Sequence, residues 1–156
     1  MAEYNYNLPK ANCYGFVIGK NESISIWDEM DASNLFQTAY ELFKDMEEIP
    51  RKIYENEFIA EKVAQTFCAQ RNFKIVAIGN DIDPSTLPDG TIAMRIYNHF
   101  FFGCDFHFAI KSYFAGESCW LHKPGQLPAD IMLNEDIIAP QWKGGYDTPT
   151  IFMISR

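Results

Sequence analysis

Among the 4 cysteines and 3 histidines of this chain, Cys13, His107 and His122 are the candidates for thiol-based acyl chemistry. That chemistry needs a nucleophilic sulfur, an imidazole to take its proton, and a third polar group to orient the imidazole. A helix N-terminus suits the sulfur, because the peptide dipoles and N–H groups there favour a thiolate and can help hold an oxyanion. Cys13 follows Asn12 at the head of a short apolar segment, Tyr14 to Ile18, set between Pro9 and Gly19. Periodicity alone allows that segment to be a short buried helix or a strand. The backbone N–H of Cys13 and the side chain of Asn12 are the candidate oxyanion donors. The plain alternative for Cys13 is a small buried hydrophobe, as most free cysteines are.

His107 stands in Asp105-Phe106-His107-Phe108. Strand alternation puts Asp105 and His107 on one face and the two phenylalanines on the other, as suits a base held on a rigid strand above an aromatic layer. A hydrogen-bonded structural histidine would read the same way. His122 lies on the next predicted strand, and the turn near Gly116 brings the two histidines onto one face within a few residues of register. Asp105 and His122 therefore compete to orient His107, and His122 is preferred because Asp105 sits near a strand end. Cys119 alternates with Trp120 and so faces away from His122. Cys68 sits deep in the second predicted helix, beside its apolar stripe, and Cys104 lies at a break between strands. His99 lacks such company; a metal set of His99, Cys104 and His107 has no recognised ligand spacing, so neither a metal nor a cofactor is called for. Trp120 and Lys123 are the candidate substrate contacts, with a solvated rim position the alternative for Lys123.

The elements that would carry these groups fall in two blocks. Ser33 can cap a helix whose stripe is Leu35, Ala39, Leu42 and Met46, closed by Pro50. Asn56 can cap a second, with Ile59, Ala60, Val63, Ala64 and Phe67 in its stripe. From Phe73 on the pattern becomes that of strands: Lys74 to Gly79, Thr91 to Phe102, Asp105 to Tyr113, Ser118 to Lys123 and Thr150 to Ser155. Pro88-Asp89-Gly90 and Ala115-Gly116-Glu117 are turns, Pro fixing one backbone angle and Gly accepting the unusual one. Helices first and antiparallel strands second make an α+β fold, with residues 1–156 as a single domain.

Taken together, Asn12-Cys13-Tyr14, Asp105-Phe106-His107-Phe108 and Trp120-x-His122-Lys123-Pro124-Gly125 resemble a group of papain-like proteins of bacteria and phages. Their broader relatives are the NlpC/P60-type cysteine peptidases. The resemblance rests mainly on residues 12–14 and 105–125. It implies a papain-like fold with Cys13 as nucleophile, His107 as base and His122 as the orienting group. It also implies a peptide or protein substrate, with a peptidoglycan peptide among the possibilities.

Composition narrows the classes further. The chain of 156 residues is 47% hydrophobic and 15% aromatic, enough for a core without disulfides. Its formal net charge of −8, with no run of basic residues, argues against a nucleic-acid surface. No apolar run approaches the ~20 residues that span a bilayer, and no leader pattern opens the sequence, so a cytoplasmic protein with reduced thiols is expected. The rival to a hydrolase is a non-catalytic acidic binding protein on the same fold, such as an inhibitor of a basic partner. A buried His107 or an unreactive Cys13 would favour that rival.

Overall fold

Alternating side chains from Phe73 onward require a sheet, and the chemistry of each face decides what covers it. The computed structural model describes residues 7–24, 65, 67–69, 71–99, 103–125, 127–143, 146 and 149–155, side chains at 96–99, 103–106 and 114 excepted. Within these, Cys13–Val17 form helix α1. The strands are β1 (Phe73–Ile78), β2 (Ile92–His99), β3 (Gly103–Phe114), β4 (Glu117–His122), β5 (Asp130–Met132) and β6 (Ile151–Ser155), with a short helix α2 (Asn134–Ile137) after β5. They build one six-stranded antiparallel sheet in the order β1-β6-β2-β3-β4-β5. The mixed α+β class expected from the sequence is therefore observed. Both predicted N-terminal helices fall on residues outside the described ones, apart from helical residues 65, 67–69 and 71 at the end of the second.

Period-two alternation separates two apolar layers, one on each face of the sheet. Ile92, Met94, Phe108, Ile110, Leu121, Ile151 and Met153 pack with Tyr14, Phe16, Val17 of α1 and with Phe67 and Cys68. Cys68 is thus core, its Sγ 4.0 Å from Met153 Sδ. On the other face Ala93, Ala109, Trp120 and Phe152 pack with Ile137 of α2 and Trp142. The sequence reading anticipated helical cover on one face and missed this second layer. Strand β5 has only three residues, too few for a visible alternation, and α2 is a single turn.

Three buried cations fasten the layers together. Each donates to backbone carbonyls, which keeps a desolvated charge tolerable only while those bonds persist. Lys111 Nζ donates to the carbonyls of Pro84, Ser85 and Leu87. Arg95, fully buried on β2, donates to Thr150 Oγ1 at 2.9 Å and to the carbonyls of Tyr146, Ile137 and Ala139, with its guanidinium 5.0 Å from the Trp142 ring centre. Lys123 Nζ donates to the carbonyls of Ala11 and Gly125.

The approach of α1 is set by Asn12 and Gly15. Asn12 is the N-cap; its Oδ1 accepts from Gly15 N at 2.9 Å and from Ile24 N at 3.3 Å, and its Nδ2 donates to Ile24 O at 2.7 Å. A Cβ at Gly15 would lie 2.1 Å from the Glu22 carbonyl oxygen. Gly15→Ala is accordingly expected to cost about 2 kcal/mol, an overpacking effect, measured as a lower thermal midpoint. A midpoint equal to wild type would contradict the close packing.

Candidate active site

Helix α1 begins at Cys13 because Asn12 supplies an extended residue whose side chain caps the first turn. The segment that could have been a helix or a strand is therefore a helix, with Cys13 as its first residue. Cys13 is half-buried and packs against the aromatic layer. Helix α1 lies against β3 and β4.

The hairpin β3–β4 places the two histidines. Ala109 pairs with His122, so His107 is the diagonal neighbour of His122 on the same face. Their rings meet edge to face, 5.2 Å between centres, and His107 Nε2 lies 2.9 Å from His122 Nδ1. Beyond Ala109 the pairing with β4 ends, while β3 runs on to Gly103 against β2. There a cavity of about 910 Å³ is lined by Asn12, Cys13, His107 and His122 together. Cys13 and His107 thus line the same space, although α1 covers the face of the sheet opposite the one from which His107 projects.

Trp142 and Tyr146 close over His107, with ring centres at 6.0 and 5.4 Å. His107 is 8% exposed. Burial first, and the neighbouring His122 second, push its pKa down to about 4. His122 is also lowered, chiefly by burial and further by Lys143, while Asp130 and Asp136 act in the opposite direction. Both rings are therefore neutral at pH 7. With Nε2 of His107 occupied by His122, Nδ1 of His107 makes no hydrogen bond among the described residues.

Other expected site residues are placed differently. Trp120 does not contact the cavity: it is fully buried, packs on Phe152, and donates from Nε1 to Asn134 Oδ1, anchoring α2. Lys123, expected as a substrate contact or a solvated rim charge, is buried and does not line the cavity. At 2% exposure it ties the exit of the histidine hairpin to Ala11, two residues before Cys13. A lysine followed by Pro-Gly looked like a surface turn, and only the long-range carbonyl at Ala11 explains its burial. Asn12 lines the cavity, but capping engages its oxygen and one N–H, leaving one Nδ2 hydrogen for a ligand. Cys119 is half-buried against the helix-side core, on the face opposite His122. The backbone of Asp105 pairs with Tyr97, and that of Cys104 with Asn98. The side chains of Asp105, Cys104 and His99 lie outside the described ones.

Sequence reasoning missed the remaining walls: Leu127, Pro128, Ile131 and Met132 on one side, Trp142 and Tyr146 on the other, with Asp130, Asp136 and Lys143 among them. These come from β5, from α2 and from the segments around them, all too short to show a period, and nothing in the sequence marked them as covering a site. No helix among the described residues is long and apolar enough to cross a membrane. No protein-family profile, curated protein or solved structure matches this chain.

The lowered His107 pKa makes folding pH-dependent with a definite sign. The unfolded imidazole titrates near the ordinary 6.5 and the folded one near 4. Stability from this group is full above pH 6.5, falls as pH drops toward 4, and levels below, a loss on the order of 3 kcal/mol. His107→Gln, which does not titrate, is expected to flatten the decline of the thermal midpoint between pH 7 and 4.5. Parallel declines in the two proteins would contradict a buried neutral His107.

Proposed function

We propose that this chain is a papain-like cysteine hydrolase that cleaves a peptide or amide bond. The observation that supports it most is the hydrogen-bonded His107–His122 pair opening, with Cys13, on one cavity. The finer architecture belongs to this reading: a cysteine-bearing helix set ahead of, and packed on, the antiparallel strands that carry the histidines, as in NlpC/P60-type peptidases.

In this mechanism Cys13 Sγ attacks the substrate carbonyl carbon as its proton passes to His107 Nδ1. The Nε2–H···Nδ1 bond to His122 then becomes charge-assisted and steadies the imidazolium. The remaining Asn12 amide hydrogen helps hold the oxyanion. His107 returns its proton to the leaving amine as the C–N bond breaks. Water, deprotonated by the same imidazole, then hydrolyses the thioester and restores the thiol. Because burial keeps His107 neutral, the resting pair is thiol and imidazole, and the proton moves during attack. The apolar walls of the cavity suit a substrate with an apolar side chain next to the scissile bond.

A second reading, a non-catalytic acidic binding protein, draws on the burial of His107, which a purely structural histidine would share. Against it stand the Nδ1 of His107, which makes no hydrogen bond among the described residues, and the cavity it shares with Cys13.

Alkylation by iodoacetamide from pH 5 to 9, with peptide mapping, separates the two. Cys13 is expected to react roughly tenfold faster than Cys119 at pH 6.5, below the free-thiol range near 8.5. His107→Ala should remove that advantage, because no base then takes the thiol proton during attack. A Cys13 no faster than Cys119, and indifferent to His107→Ala, would remove the basis for a hydrolase.

A further inference from the structure

Two neutral imidazoles sharing one hydrogen bond can do so in two ways, and only one leaves His107 able to act as a base. If His122 Nδ1–H donates, His107 Nε2 accepts and His107 must carry its proton on Nδ1, the atom that would have to take one from the thiol. If His107 Nε2–H donates, its Nδ1 is a free lone pair toward the cavity, and His122 must carry its proton on Nε2. The 2.9 Å contact fits both. Something beyond the pair has to choose.

The group placed to choose is on β5. Asp130 is the direct cross-strand partner of His122, so their side chains leave the same face side by side. Both line the cavity. The Asp130 carboxylate is held in place by its own strand, Oδ1 accepting from Ile131 N at 2.8 Å, which leaves Oδ2 available. We propose that Asp130 is a positioning residue acting through His122: its carboxylate favours the Nε2–H form of His122, so His122 Nδ1 accepts from His107 and His107 Nδ1 is presented as the proton acceptor. This rests on the hydrolase reading for its consequence in catalysis, though the tautomer of His122 can be observed without it.

The other charged groups around His122 act with lesser or opposite weight. Asp136, at the start of α2, adds to Asp130, but its Oδ2 already accepts from Leu133 N at 2.9 Å. Lys143, beyond α2, opposes both. Asp130 is the stronger carboxylate in raising the pKa of His122, in keeping with its cross-strand position. Among the described side chains of β3, the neutral His107 faces the ring. Arg95, paired with His107 across β2, spends its guanidinium on the carbonyls named above. No direct Asp130–His122 hydrogen bond is made among the described residues, so the coupling is through space and sensitive to salt.

The test uses the whole protein labelled with ¹⁵N. Its 3 histidines make imidazole ¹H–¹⁵N spectra simple to assign, and these spectra distinguish the two neutral tautomers. At pH 7.5, His107 and His122 are both expected as Nε2–H. Asp130→Asn keeps the oxygen that accepts from Ile131, and an unchanged amide spectrum verifies the fold. This variant is expected to shift His122 partly to Nδ1–H and to slow Cys13 alkylation about threefold at low salt, with the difference shrinking near 1 M salt. Lys143→Met should move neither tautomer toward Nδ1–H. A wild-type His122 carrying Nδ1–H would overturn both the proposal and the hydrolase reading, since His107 would then hold its proton on Nδ1. An Asp130→Asn protein with wild-type tautomers and rate would overturn the proposal while leaving the hydrolase reading intact. An inert wild-type Cys13 with both rings as Nε2–H would do the reverse.

Discussion

The contact between His107 and His122 exists in its present form only because water is kept from one side of it. In water, two imidazoles gain little from each other, since solvent competes for every ring nitrogen. Under Trp142 and Tyr146 that competition is removed, and the pair becomes a directed hydrogen bond between neutral rings. Arg95 makes this cover possible. By gathering the carbonyls of Ile137, Ala139 and Tyr146 under one guanidinium, it fixes an irregular segment that has little regular structure of its own. A charge buried on the neighbouring strand thus controls the solvation, and so the basicity, of the histidine opposite it.

Lys123 plays the matching part on the other side of the site. Its ammonium spans from the hairpin's exit to the residue before the α1 cap. Cys13 and His122 are thereby connected through one side chain, although 109 positions of sequence separate them. Replacing such a cation leaves buried carbonyls without a donor, which is why buried staples of this kind are costly to break. The Trp-x-His-Lys-Pro-Gly stretch can be understood residue by residue: an anchor for α2, a ring for the pair, a staple to α1 and a turn.

The strands were readable because their alternation spans five to twelve residues and their turns carry Gly with positive φ, as at Gly90 and Gly116. The hairpin register followed from the same turn, and with it the meeting of His107 and His122. Asn12 before a short apolar run gave the start of α1 only once burial decided between helix and strand. The second face was hidden because β5 and α2 are too short to show a period, and the residues that shape the cavity sit in them and in their connections. Lys123 and Trp120 were misplaced for a related reason: a residue's type suggested exposure or contact, while partners at Ala11 and Asn134 determined its burial. Long-range pairing of this kind leaves no local mark in the chain.

The central claim is spatial: the Cys13 sulfur and the His107 ring share one cavity. A short bifunctional alkylating ketone tests it directly, since its first arm reacts with the thiol and its second with a nitrogen within reach. Mass spectrometry of the digested product should then find the Cys13 peptide joined to the His107 peptide, with no second-arm attachment elsewhere. Cys13 alkylated but never joined to His107 would contradict the account.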